Sequence, residues 1–198
     1  MDKQTIDTYN KMAREYDEET APFWELFPSQ IMEKFVEAML SKNVIDIGCG
    51  PGRDAVMLKD KGCELVCLDA SKAMVEICKQ RGLNAVVGDL LNLPFPDETF
   101  DGAWAYTSFL HIPKKKFPDT LREAKRVLKE NGFLVIGTIE GDGEKYKQSK
   151  KVNSDRYFAY YGKDEIEDYF KDAGFEVVFF DHFPTHHNKY LNYLIKRS

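Results

Sequence analysis

"VIDIGCGPGRDAVML", residues 44–58, passes from an apolar run into three glycines on alternate positions and then resumes at helical spacing. Val44, Ile45 and Ile47 suit a short strand, while Ala55 and Leu58 share one face of a helix. Gly48, Gly50 and Gly52 supply a tight turn between the two, let the backbone approach a ligand closely, and leave N–H groups beside the helix start. The spacing is G-x-G-x-G, which differs from the G-x-G-x-x-G of dinucleotide sites. No G-K-[ST] follows, so a phosphate-gripping P-loop is excluded. Alone, this turn leaves the ligand open.

From residue 43 onward, strand-like and helix-like segments alternate. "NVIDIG", "CELVCLD", "NAVVGD", "FDGAWAYT" and "FLVIGTIE" read as five strands. The helices between them include "RDAVMLKDKG", "SKAMVEICKQRG" with Ser71 as N-cap, and one within "KKKFPDTLREAKRVLKENG" ending at Asn131-Gly132. Parallel strands need crossovers, so this rhythm predicts a parallel sheet with helices on both faces. After the helix "KDEIEDYFKDAG", the segments "FEVVFFDHF" and "KYLNYLIKRS" lie too close together for a crossover and pair antiparallel. The expected architecture is an α/β, Rossmann-like doubly wound sheet of seven strands, mostly parallel, with one antiparallel strand near an edge. Residues 1–41, with the helical segments "TIDTYNKMAREYDEE" and "PSQIMEKFVEAMLSK", form a cap on a single domain spanning 1–198, and the polar loop 141–162 forms a second candidate lid.

Composition bounds the rest. Across 198 residues, 43% hydrophobic content supports a core without disulfide or metal staples, and a net charge of -5 offers no basic stripe for nucleic acid. The first twenty residues lack an apolar signal core, and no run of about 18 apolar residues marks a membrane span. A cytoplasmic chain, monomeric or homodimeric, is expected. Cys49, Cys63, Cys67 and Cys78 form no C-x-x-C pair, and with the histidines they complete no zinc spacing, so no metal is expected.

In open α/β sheets, ligands bind beyond the carboxyl ends of the strands, where strand order reverses. Asp69 ends the second strand 21 residues beyond Gly48, placed to accept hydrogen bonds from two ribose hydroxyls; the alternative is a helix cap. Asp89 ends the third strand, positioned for an adenine amine while Leu90 packs on the ring. Asp46 precedes the first glycine and is placed to hold the loop through backbone N–H groups.

The segment 44–138 resembles a class I S-adenosylmethionine-dependent methyltransferase. "VIDIGCGPG" is similar to that family's first motif, "LVCLDAS" to its ribose motif, and "GDLLNLPFPDETFDGAWAYTSFLHI" to its adenine and active-site motifs. "LREAKRVLKENGFLVIGT" and the reversed last strand fit too, and "YNKMAREYD" resembles the cap helix of its small-molecule members; Glu130-Asn131-Gly132 stands where many members carry Pro-Gly-Gly. The resemblance implies S-adenosyl-L-methionine as cofactor and S-adenosyl-L-homocysteine as product. It places Gly48, Cys49, Gly50 and Arg53 at the methionine part, and Asp69, Ala70 and Met74 at the ribose and adenine. Asp89 and Leu90 would read the adenine, Ala105 and Tyr106 would floor the sulfonium, and Tyr9, Arg14 and Tyr16 would close over it. Arg14 is a carboxylate partner or a solvated helix residue.

Methyl transfer needs alignment and exclusion of water more than a strong catalytic side chain. His111 in "YTSFLHIP" is the candidate general base or acceptor orienter, against a plainly packed histidine. "AYTS" replaces the [DN]-P-P-[YF] of amide- and base-nitrogen methylation, and a small-molecule acceptor is expected. Phe23, Trp24, Phe27, Tyr157, Phe158, Tyr160 and Tyr161 would line its pocket or simply pack. Lys145, Lys147, Lys150, Lys151 and Arg156 would attract an anion or form a solvated loop, and His182, His186 and His187 face solvent. Two rivals remain: a non-catalytic cofactor-binding regulator or assembly protein, and an NAD(P)-dependent oxidoreductase, which the glycine spacing and Asp89 disfavour.

Overall fold

The computed structural model describes residues 1–27, 29–149, 154–185 and 188–198. The glycine turn joins β1 (Asn43–Ile47) to α4 (Arg53–Asp60), preceded by α1 (Lys3–Thr20), α2 (Phe23–Leu26) and α3 (Ile31–Ala38). The chain continues through β2 (Glu64–Asp69), α5 (Lys72–Gln80), β3 (Asn84–Val87), β4 (Phe100–Tyr106), α6 (Phe117–Val127) and β5 (Leu128–Ile139). It finishes with β6 (Glu144–Ser149), β7 (Ser154–Ala159), α7 (Lys163–Asp172), β8 (Phe175–Pro184) and β9 (Lys189–Arg197).

Seven strands make one sheet in the order β3-β2-β1-β4-β5-β9-β8. Pairing is parallel from β3 to β5, and β9 runs antiparallel to both β5 and β8. The expected mixed sheet is present, with its reversed strand second from the edge. Strand order reverses between β1 and β4, so their carboxyl ends diverge there and open a crevice.

Alternation along β4 distributes the core between the two faces. Ala103 and Ala105 pack against Phe117 and Leu121 of α6 and Ile166 and Phe170 of α7. Trp104 and Tyr106 point the other way, onto Ile31, Met32 and Phe35 of α3 and Leu58 of α4. Trp104 and Phe35 are fully buried, and each such side chain contributes about 1.5–3 kcal/mol or more by leaving water.

Three boundaries depart from the sequence expectation. The α6 helix stops at Val127, not at Asn131-Gly132, because Leu128 already pairs with Phe100 of β4. Residues 20–27 carry the short helix α2, seated by Phe23 and Trp24 on the aromatic face of the core. The 141–162 loop is largely a two-stranded hairpin, β6 with β7, in which Tyr146 pairs with Tyr157. Its first strand is mostly polar, and the aromatic run at residues 157–161 shows no alternation that marks a strand. Lys150, Lys151, His186 and His187 lie outside the described residues, while His182 is exposed as expected.

Gly137 of β5 lies opposite Tyr106 of β4, and a Cβ there would meet two carbons of the Tyr106 ring at 2.5 Å. Neither the ring, 5% exposed, nor the strand has room to yield. Gly137→Ala is therefore expected to lower unfolding free energy by about 1–3 kcal/mol, read by urea denaturation. An unchanged midpoint would show that the ring moves freely.

Candidate active site

The crevice at the carboxyl ends of β1 and β4 holds about 620 Å³ of atom-free space, part of it open to solvent. Its base is the glycine turn. The Gly48 N–H donates to Leu68 O at 2.7 Å, and Ser108 Oγ donates to Ile47 O at 2.6 Å, which fastens the ends of β2 and β4 to β1. Gly48 has φ 75°, and a Cβ there would sit 2.3 Å from the Cβ of Ser108. Only glycine passes between these two strands.

Asp69 is the turn's electrostatic anchor. Its Oδ2 accepts the Gly50 N–H at 2.9 Å and its Oδ1 accepts the Ser71 N–H at 2.7 Å. Burial raises its pKa to about 6, with those backbone donors opposing the rise. Asp46 is more exceptional: its buried Oδ2 has no hydrogen-bond partner, and its pKa is pushed well above the usual carboxylate range by burial first and by Asp54 next. A buried acceptor left unmatched inside a cleft calls for a donor from a ligand.

The far wall comes from α1. Tyr9, 9% exposed, and Tyr16 meet edge to face. Tyr9 Oη lies 2.7 Å from His111 Nε2 and accepts from Arg156 Nη1 at 3.1 Å. His111 Nδ1 lies 2.6 Å from Tyr157 O, a group that can only accept, so the ring proton resides on Nδ1 and the Tyr9 hydroxyl donates to Nε2. Burial, aided by Arg156, pulls the His111 pKa down to about 4. The imidazole is neutral, with both nitrogens engaged.

Twelve of the residues expected from sequence line the cleft: Tyr9, Tyr16, Asp46, Gly48, Cys49, Gly50, Arg53, Asp69, Met74, Leu90, Tyr106 and His111. Five do not. Arg14 is exposed on the outer side of α1, above a shallow depression shared with Glu76 and Gln80, so it does not close over the cleft. Ala105 faces the α6–α7 core, because strand alternation turns it away from its neighbour Tyr106. Gly52 caps α4 with φ 83°, against Leu83 and Cys78. Ala70 is half-buried against the core, and the Asp89 carboxylate is exposed at the rim, accepting from Leu91 N at 3.1 Å. Three of the four cysteines converge: the sulfurs of Cys49, Cys67 and Cys78 all lie within 4.8 Å of one another beneath the turn.

Sequence reasoning missed Asp54 and undervalued Arg156. Asp54 is 6% exposed and receives three donors: Trp24 Nε1 and Trp104 Nε1 at 2.9 Å each, and Arg53 Nε at 2.6 Å. Its place in the first helical turn, directly after Arg53, was the available signal. Tyr106 donates its hydroxyl to Asn192 Oδ1 at 2.9 Å, so it presents its ring to the cleft.

A family model described as "Methyltransferase domain" matches residues 45–136, which spans the turn, both acidic strand ends and β4. An uncharacterized protein of Methanocaldococcus jannaschii is 31% identical over 87% of this chain and 83% of its own length. The demethylmenaquinone methyltransferase of Thermotoga maritima is 33% identical over 68% of this chain and 61% of its own. Among solved structures, the DhpI–SAH complex superposes with a TM-score of 0.79 over 98% of this chain and 96% of that one; at 17% identity, this likeness concerns the fold.

Asp46→Asn tests the cost of the unmatched carboxylate. A carboxyl whose folded pKa exceeds its unfolded value contributes stability that is lost as pH rises through the folded pKa. The wild type is therefore expected to lose stability from pH 5 to pH 8, and the amide variant to lose less. At pH 8 the variant should be more stable by about 1 kcal/mol, since one pKa unit corresponds to about 1.4 kcal/mol. Thermal unfolding at the two pH values checks this; a variant less stable at pH 8 would refute it.

Proposed function

The chain belongs to the class I S-adenosylmethionine-dependent methyltransferases, and from that premise we propose that it methylates a small-molecule acceptor in the cleft above the glycine turn. The observation that carries the site assignment is the pairing of Asp46 and Asp69 around that turn. Asp46 Oδ2 is a buried acceptor in need of a cation-bearing donor, which suits the α-ammonium of the cofactor. Asp69 keeps lone pairs free after its two backbone bonds, which suits a ribose diol. Gly48, Cys49 and Gly50 would border the methionine part, Met74 and Leu90 the adenine, and Tyr106 the floor. When bound, the cofactor supplies an electrophilic methyl group on a sulfonium.

The protein's share of the work is alignment and dryness. The α1 segment acts as a cap held at two points, by the start of α5 and by the hairpin strand β7. Asn10 Oδ1 accepts Ser71 Oγ and the Ala73 N–H, at 2.9 and 3.1 Å, at the start of α5. On the opposite side Thr8 Oγ1 donates to Asp155 O at 2.9 Å, and Thr5 Oγ1 accepts the Tyr157 N–H at 2.9 Å. We assign residues 1–41 and the β6–β7 hairpin to one closing layer over the sheet, within a single domain. His111 orients Tyr9 in this scheme. Its Nε2 lone pair already receives the Tyr9 proton, so it meets the acceptor through that hydroxyl. The relatives support a small acceptor: the Thermotoga maritima protein is named for demethylmenaquinone, and a 29% identical Amycolatopsis mediterranei protein for 27-O-demethylrifamycin SV.

Calorimetric titration with S-adenosylhomocysteine, with NADH as control, tests the assignment. Binding of the first and not of the second is expected, and Asp69→Ala should weaken it about tenfold or more by removing two ribose hydrogen bonds. If the ionised carboxylate is the binding form, affinity should also fall about tenfold from pH 7 to pH 5, as protonation proceeds through the raised pKa of about 6. Unchanged affinity in the variant would remove Asp69 from the site.

A further inference from the structure

Every arginine that bridges elements around the core holds a carboxylate, with one exception. Arg53 pairs with Asp54, Arg81 with Asp17, Arg126 with Glu123 and Asp97, and Arg197 with Glu98. Arg156 of β7, largely buried against Tyr9 and Tyr16, two of the rings that line the cleft, has no ion pair among the described residues. Its guanidinium instead lies over three rings, 5.3 Å from Tyr9, 6.0 Å from Tyr16 and 5.4 Å from Phe158. It makes one hydrogen bond to Tyr9 Oη, and its buried Nε finds no acceptor. Ring contacts offset part of the desolvation of a cation, but a planar fork with an unmatched N–H still lacks an oxyanion. Arg53, one helix away on the glycine turn, shows how this fold closes such a site when the protein supplies the partner itself.

Two lysines continue the positive charge outward from Arg156. Lys147 on β6 lies 5.4 Å from the Phe158 ring and 5.0 Å from the Tyr160 ring, and exposed Lys145 lies 5.0 Å from Tyr160. The hairpin thus presents a graded cationic path ending at a buried guanidinium beside Tyr9 and Tyr16. A path of this kind raises the local concentration of an incoming anion. A ligand part buried once, inside the turn, would not need it.

We propose that Arg156 binds a carboxylate or similar planar oxyanion on the methyl acceptor, against the rings of Tyr9, Tyr16 and Phe158. This deepens the methyltransferase reading and rests on it: the substrate class becomes small acids with an apolar or aromatic body. A bidentate guanidinium–carboxylate contact in a partly dry site discriminates an acid from its neutral amide. The cofactor's own α-carboxylate has the same chemistry, and the test separates the two sources.

The full chain, saturated with S-adenosylhomocysteine, is titrated with benzoate, phenylacetate and indole-3-acetate, each beside its amide. At least one acid is expected to bind about tenfold tighter than its amide, a difference of about 1.4 kcal/mol. Arg156→Gln should abolish that preference while S-adenosylhomocysteine affinity stays within about twofold of wild type, and Arg156→Lys should keep part of the preference because the charge remains. No acid preference in the wild type overturns the proposal. So does a tenfold loss of S-adenosylhomocysteine affinity in Arg156→Gln, which would assign the guanidinium to the cofactor. Failure of the wild type to bind S-adenosylhomocysteine at all strikes the site assignment beneath the proposal, and is read independently of the acids.

Discussion

Asp69 accepts the Gly50 N–H through one oxygen and the Ser71 N–H through the other, so a single buried carboxylate sets both the glycine turn and the start of α5. Three elements meet at that side chain. The turn cannot relax away from β2 while the bond to Gly50 persists, and α5 cannot rotate without breaking the bond to Ser71. Both donors are stationary backbone groups, and the carboxylate is held ready at the cost of a raised pKa. This is preorganisation in the physical sense: the desolvation is met during folding, before any ligand arrives. The same constraint explains why Ser71 caps α5 and why Asn10 of α1 can find fixed partners there. The cap is oriented, at second hand, by Asp69.

The sheet was legible because its signals are local. Each of β1, β2 and β3 is a short apolar run ended by a glycine or aspartate, and each following helix carries its own start or stop residue. The reversed β9 followed from a loop too short for a crossover. The β6–β7 hairpin gave no such signal, because β6 is polar and the aromatic run that packs Phe158 and Tyr160 on Leu110 and Ile139 lacks strand alternation. The site divides the same way. Gly48, Gly50 and Asp69 announce themselves by spacing, whereas the state of His111 depends on Tyr9, 102 residues earlier, and on Tyr157, 46 residues later. Arg156 looked like one of five loop cations until its neighbours were known. Arg14, within a motif on α1, is sent outward by helical phase while Tyr9 and Tyr16 face in.

The cleft joins two chemical surfaces that different parts of the chain supply. Its floor and base come from the carboxyl ends of β1, β2 and β4, elements tied by ladder bonds and deep packing. Its opposite wall comes from α1 and His111, and α1 is held by polar bonds through Thr5, Thr8 and Asn10 and by Met12 and Ala13 packed with Met74 of α5. Opening free energy scales with such contacts, so the wall is the cheaper part to move. Donors fixed in the sheet beneath and a helical wall above suit a reaction that needs access for two ligands and dryness in between.

The chain contains only two tryptophans, and both indoles donate to the carboxylate of Asp54, one from the cap and one from β4. Their rings lie 6.3 Å apart, with Tyr106 beside each. Indole emission responds to nearby carboxylates and to water, so the seating of α2 on the sheet is written into the protein's own fluorescence. Trp104 is sealed in the core and Trp24 only half-buried, so displacement of α2 from the sheet would unpair one emitter and leave the other as an internal reference. The polar knot that joins α2 to β4 through Asp54 is also a gauge of whether that contact is made.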